Sequence, residues 1–374
     1  METLQDQIDR MSRAIKTDNY PMSIGELAGL YRDGDLNISP IYQRLFRWDI
    51  DQQSALIESI LLQIPIPPIY VFQDEDGKWS LIDGQQRLST IFKFMGILKK
   101  TRIDDDENEE LYEREPLTKA KFLPALEGKF WEDKVEQKSL TEAQRRYIKR
   151  SKILIIIIDK SSDGFAQYEM FQRLNTGGSH LSPQEIRNCI LVMKNENAYK
   201  KFKELSENED FQNSLPLSEK DVEEQGYLEL VVKYFVLRLS ELDVSDSENY
   251  NNFITDEIIE LLDEKINFEI EKDIFTRVFF LLNRVMGENA FKKFDSKKKC
   301  HIGPVLVGAY EVIIPGVSDN LEYYEEHPNV LKNRIDKIYT TDEYLGATKR
   351  GIRPVSRIKK LTALSREKFN VKKD

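Results

Sequence analysis

Cysteine is nearly absent from this chain: Cys189 and Cys300 are the only two in 374 residues. Two thiols cannot build a disulfide framework, and they suit a reducing compartment, the cytoplasm. Histidine is almost as scarce. His180, His301 and His327 are widely separated, so no zinc motif of recognisable spacing can be assembled from them. Long apolar runs are missing too. The densest stretch, Ile57 to Ile66, is broken by Gln63 and Pro65 and closes on Pro67 and Pro68, which falls short of a membrane span. The opening "METLQDQIDRMSRAI" is acidic and amphipathic, unlike a secretory signal. No GxxxxGK[ST] loop occurs, which counts against a conventional P-loop site with high turnover.

What the chain does have is length and charge. Its size allows a sizeable core and points to two domains. Charged residues make up 32%, with a formal net charge of −10. That surplus argues against a nucleic-acid sheath, although local patches decide binding. "RIDDDENEELYERE" (Arg102 to Glu115) carries eight acidic residues against two arginines and reads as a solvated, exposed excursion. "KRGIRPVSRIKK" (Lys349 to Lys360) carries six basic residues and no acidic one. It reads equally as a phosphate-contacting patch or as a solvated element.

The periodicity predicts an α+β N-terminal domain, 1–195, followed by an all-helical domain, 196–374. Leu4, Ile8, Met11 and Ile15 recur at helical spacing. Ser23 and Glu26 fit a capping box, and "DQQSALIESILLQ" is helical until the prolines stop it. "PIYVFQ" and "KWSLI" are strands joined by the hairpin signal "DEDG". Leu88, Ile91, Phe92 and Met95 share one helical face. A helix from Thr141 to Arg150 precedes "KILIIIID", whose unbroken branched residues predict a strand buried on both faces. Gly164 to Asn175 reads as helix ending at "TGG", and Ser182, Pro183 and Glu185 start another. Beyond residue 196, "YLELVVKYFVLRL", "FITDEIIELLDE" and "IFTRVFFLLNRVM" are helical, the first and last meeting in one core.

Against this apolar frame, "LIDGQQRLST" is abruptly polar. Placing "DGQQR" between a strand and a helix starting near Gln85 creates an anion site, because the first N–H groups of a helix lack internal partners and its dipole favours negative charge. Gly84 lets a ligand approach the backbone, and Arg87 offers a fork of donors for a phosphoryl group. Asp83 suits a metal-bound water, Arg87 or a ribose; it equally suits a plain helix cap, with both glutamines facing solvent. In "SPIYQRLFRW", Tyr42, Phe46 and Trp48 stand beside Gln43, Arg44 and Arg47, a cluster able to hold a guanidinium rigidly. In "FQRLNTGGSHLSPQEIRN", Arg173 and Asn175 lie in a loop after a helix. Asn175 is either a loop organiser or a ligand contact, His180 reads as a loop residue, and Cys189 as buried and inert.

These three segments together resemble the N-terminal domain family of GmrSD-type modification-dependent restriction enzymes, itself similar in fold to ParB and sulfiredoxin. Tyr42, Gln43, Arg44 and Trp48 match its first motif. Asp83, Gly84, Gln85, Gln86 and Arg87 match its most characteristic one, and Arg173, Leu174, Asn175, Leu181, Ser182 and Glu185 its third. The resemblance implies a ParB/sulfiredoxin-like domain with a small mixed sheet, nucleotide binding and often hydrolysis, coupled to restriction of foreign DNA. The HNH-type nuclease domain or partner subunit that accompanies cutting members has no counterpart around His301 or His327.

The leading expectation is thus an NTP-binding and hydrolysing component of an anti-phage restriction system. Tyr42, Gln43, Arg44, Gly84, Gln85, Gln86, Arg87, Arg173 and Asn175 would hold GTP or ATP, with Asp83 and Arg87 catalytic and Asp83 at Mg²⁺. Phosphoryl transfer is largely charge neutralisation and water positioning, which suits this set. DNA, a separate nuclease subunit and a second copy of the chain are the expected partners; no membrane is expected. The alternatives are a non-enzymatic DNA-binding or adaptor protein, in which the arginines grip backbone phosphates, and a metal-dependent nuclease using carboxylates alone.

Overall fold

The computed structural model describes residues 3–14, 17–38, 48–74, 76–100, 110–159, 183–242, 244–263 and 266–371. The chain divides into two compact units, Met1–His180 and Leu181–Asp374.

The first unit is built on a five-stranded mixed sheet. Helix α1 (Leu4–Ala14) precedes strand β1 (Thr17–Ser23), helix α2 (Ile24–Asp33) and the short strand β2 (Leu36–Asn37). Then come α3 (Ile50–Leu61), β3 (Ile69–Gln73), β4 (Trp79–Asp83), α4 (Gln85–Phe94), α5 (Glu142–Arg150) and β5 (Lys152–Asp159). The strand order is β1-β5-β3-β4-β2. Pairing is antiparallel between β1 and β5 and between β3 and β4, and parallel between β5 and β3 and between β4 and β2.

Local chemistry explains the boundaries. Ser23 and Glu26 close a capping box at α2, and Thr141 and Gln144 another at α5, each satisfying two otherwise orphaned amides. The β3–β4 hairpin turns where Asp74 accepts from the amides of Asp76 and Lys78 at 3.0 and 2.8 Å. Ile57, Ile69, Val71, Leu81, Leu88, Ile91 and Phe92 form the core beneath the sheet.

Two features depart from the sequence reading. Strand β5 is buried unevenly: Ile153, Ile155 and Ile157 are buried on one face, while on the other Ile158 is buried, Ile156 half-buried and Leu154 37% exposed. Its partner β1 is an edge strand, exposed along most of its length. Strand β1 itself has no alternation in "TDNYPMS" and contains Pro21, which an edge strand tolerates. The expected helix at Gly164 to Asn175 and the Ser182 cap lie outside the described residues, as does most of the acidic stretch from Asp104 to Glu110.

The second unit is helical. Helix α6 (Pro183–Ser206) has a non-helical kink at Asn195 and is followed by α7 (Glu209–Ser214), α8 (Glu219–Glu223), α9 (Gly226–Leu239), α10 (Tyr250–Asp263) and α11 (Phe268–Met286). Further on lie α12 (Val307–Asp319), α13 (Leu321–Glu326), α14 (Pro328–Ile338), α15 (Asp342–Ala347) and α16 (Pro354–Lys368). As the periodicity requires, α9 and α11 share one core, with the Tyr234 ring centroid 4.9 Å from that of Phe275 and 6.1 Å from that of Phe279. One interruption was not legible: an antiparallel hairpin, β6 (Lys292–Asp295) and β7 (Cys300–Val305), stands between α11 and α12.

Candidate functional site

The turn after β4 sits where the sequence placed it, between a strand ending at Asp83 and a helix beginning at Gln85. Gly84 is the N-cap, with φ 109°, a left-handed conformation that side chains resist. A Cβ there would also collide with Ile69 Cδ1, on the neighbouring strand β3. Glycine is therefore required twice over. No side chain caps the helix; Asp83, expected as a possible cap, does not perform that role.

Asp83 and Arg87 instead face each other one helical turn apart. Arg87 donates from Nη2 to Asp83 Oδ2 at 2.5 Å and from Nη1 to the carbonyls of Pro67 and Pro68 at 2.5 and 2.8 Å. The arginine is buried, while the Asp83 side chain is 28% exposed. The proline carbonyls lie just before β3, so one guanidinium ties the start of β3 to the end of β4. Tyr70 pairs with Asp83 across the hairpin, at a bulge. Burial pushes its phenol above the usual tyrosine range, the Asp83 carboxylate adds to that, and Arg87 opposes it.

Gln85 and Gln86 are both half-buried. The Gln86 side-chain oxygen accepts the Trp48 amide at 3.1 Å, so the second glutamine joins the turn to the segment in which the first motif ends. Gln53 donates to the Trp48 carbonyl at 2.7 Å. Tyr42, Gln43 and Arg44, like Arg173 and Asn175, lie outside the described residues. What the sequence reading missed is the engagement of Arg87 by Pro67 and Pro68. The signal was available, since carbonyls in a proline-rich segment need donors from elsewhere.

The latter part of the third motif belongs to the second unit and is buried there: Gln184, Glu185, Arg187 and Asn188 are each at most 2% exposed. Arg187 donates to Gln184 Oε1 and, at 3.1 Å, to Thr255 on α10. Gln184 donates to Asn188 at 2.7 Å, and Asn188 to Gln225. These groups fasten helices together. Cys189, next in sequence, is 1% exposed, and burial pushes its thiol far above the ordinary range, as expected of an inert cysteine. Among the described residues no group of three or more His, Cys, Asp or Glu is arranged to hold a metal.

Residues 24–192 match the family model described as GmrSD restriction endonuclease, N-terminal domain. That span, a little under half of the chain, is thus a domain of the GmrSD N-terminal kind, as the three motifs indicated. No curated protein and no solved structure matches the chain. No described helix is long and apolar enough to cross a membrane.

Proposed function

We propose that the Gly84 turn is the phosphate site of a nucleoside triphosphatase within a restriction-type defence system acting on foreign DNA. The observation that carries this reading is the start of α4: a helix N-terminus with no side-chain cap, opened by a left-handed glycine and flanked by a locked carboxylate–guanidinium pair. Helix starts of this kind attract phosphate through backbone N–H groups and the helix dipole. Gln85, at the first helical position, would meet GTP or ATP there, and Arg44 would supply the further positive charge that a triphosphate needs.

Arg87 acts as a positioning residue in this scheme, since its donors are spent on Asp83, Pro67 and Pro68. It fixes one carboxylate oxygen of Asp83, and the part-exposed carboxylate can reach a water or a Mg²⁺ ion. Mg²⁺ suits such a site, because it is commonly held by one or two carboxylates plus phosphate oxygens and water. Hydrolysis would join the water oxygen to the γ-phosphorus as the bond from that phosphorus to the β–γ bridging oxygen breaks, releasing the nucleoside diphosphate and inorganic phosphate. The separate nuclease subunit and the DNA target belong to the same proposal, supported by the restriction-endonuclease description of the matched domain.

The engagement of Arg87 favours one second reading, a nucleotide-gated adaptor that binds without hydrolysing. Titration with the four ribonucleoside triphosphates, with and without Mg²⁺, scoring binding and phosphate release together, separates the two. Binding with Mg²⁺-dependent release supports the enzyme; binding alone supports the adaptor. Absence of binding would overturn both.

A further inference from the structure

The β6–β7 hairpin concentrates positive charge in a chain whose net charge is −10. "KKFDSKKKCH" (Lys292 to His301) holds five lysines and a single acid. Lys292 pairs with Glu288 at 3.1 Å. Lys293, Lys297, Lys298 and Lys299 are exposed and make no ion pair among the described residues.

The one acid is turned inward to the loop. Asp295 accepts the amides of Lys297 and Lys298 at 2.9 and 3.1 Å, and its backbone carbonyl accepts that of Lys299 at 2.8 Å. Those amide bonds hold its carboxyl below the usual range, and the nearby Lys298 and Lys293 charges lower it further. Its carboxylate thus shapes the turn while the lysines stay available.

The hairpin is also firmly rooted. His301 reaches Asp336 on α14 at 2.9 Å through Nε2 and the Lys292 carbonyl at 2.9 Å through Nδ1. Beyond β7, a Cβ at Gly308 would lie 3.0 Å from Thr348 Cγ2. The first turn of α12, which directly follows β7, therefore packs against the corner that continues into Lys349, Arg350 and Arg353, all exposed. Within the same basic run Arg357 and Lys359 are already engaged, by Glu311 at 2.7 Å and by the Val244 carbonyl at 2.6 Å.

We infer that this two-stranded ribbon grips double-stranded DNA, with Lys293, Lys297, Lys298 and Lys299 on backbone phosphates and the Lys349–Arg353 corner extending the interface. The charge is complementary, and the major groove of B-DNA admits a two-stranded β-ribbon. The inference rests on the DNA-directed reading proposed above and assigns its binding surface.

The test uses the full chain and a 25-base-pair duplex. K293Q/K297Q/K298Q leaves every backbone hydrogen bond of the turn in place. Removing one lysine from a phosphate lowers the slope of log K against log salt by roughly 0.9, so the triple variant should give a slope shallower by about 2–3 and at least tenfold weaker low-salt affinity. Cys300 supplies an independent readout, because it is exposed on the ribbon while Cys189 is buried. Saturating duplex should slow Cys300 alkylation at low salt, and high salt should restore it. Wild-type slope and affinity in the triple variant, an alkylation rate unchanged by bound duplex, no duplex binding at all, or binding confined to anionic lipid vesicles would each overturn the inference. Triphosphate binding measured on the same variant should be unchanged, so that failure of the DNA surface and failure of the nucleotide site are read separately.

Discussion

Single side chains in this protein have roles that their motif alone does not disclose. "DGQQR" announced a strand-to-helix turn, because polarity broke sharply against apolar flanks on both sides. It did not disclose that Arg87 would be buried, since Pro67 and Pro68 lie 20 and 19 residues away along the chain and meet it only through the sheet. Arg87→Ala should therefore act first on stability: it strands two carbonyls and leaves Asp83 without its cation, a loss of about 3 kcal/mol, visible in urea unfolding. An equally stable Arg87→Ala variant with lost triphosphate binding would mean that the arginine touches ligand directly. A second part-buried pair shows how pH enters. Lys233 and Glu229 lie 2.7 Å apart. Burial works to lower the Lys233 ammonium, but Tyr250, Glu229 and Glu311 outweigh it and hold the group above the ordinary lysine range. Burial likewise pushes Glu229 up, yet Lys233 outweighs it and holds the carboxyl below its ordinary range. The depressed carboxyl stabilises the fold above about pH 4.3 and loses that contribution as pH falls through its folded value. The raised ammonium stabilises below about pH 10.4 and loses it as pH rises through its own. Because the Glu229 side chain is one-third exposed, solvent screens the pair, and Glu229→Gln should lower stability near pH 7 by about 1–2 kcal/mol and flatten the acid limb of a stability–pH profile. An unchanged acid limb would contradict the pairing.

Elements were legible where period and capping agreed, and illegible where tertiary pairing overrode them. The capping box at Ser23, the helix start at Thr141, the hairpin turn at Asp74 and the shared face of Leu88, Ile91 and Phe92 follow from local chemistry and were readable. Strands β1 and β6–β7 were not, because "TDNYPMS" is mostly exposed and "KKFD" spends a strand on lysine, which strands ordinarily avoid. The run of isoleucines in β5 overstated burial only at Leu154 and Ile156, because β-branched residues suit a strand whether or not both its faces are covered along their whole length. Close helix packing supplies an element-scale prediction. A Cβ at Gly316 of α12 would collide with Phe369 and come within 2.8 Å of Ser365 Oγ. Gly316→Ala should force α12 from the C-terminal helix and cost about 1–3 kcal/mol by overpacking, measured as a lowered urea midpoint. An unchanged midpoint would show that Phe369 yields freely.

At the scale of the whole molecule, each unit has its own core, one beneath a mixed sheet and one among helices. The residues 181–374 expressed alone should give a strongly helical circular dichroism spectrum and a cooperative melt; a spectrum without either would mean that this core is not self-sufficient. The division of labour follows the same line: a phosphate site assigned to the first unit and a DNA surface to the second. The phosphate site is the central claim, and Gln85→Glu tests it most directly on the full chain. A carboxylate at the first position of α4 is favoured by the helix dipole, so folding stability should hold or rise slightly. The same charge should repel a triphosphate bound at that turn. The expected result is a fall in ATP or GTP affinity of at least about tenfold, roughly 1.4 kcal/mol, with an unchanged melting temperature. Triphosphate affinity equal to that of the wild type in a fully folded Gln85→Glu protein would contradict the assignment of the Gly84 turn.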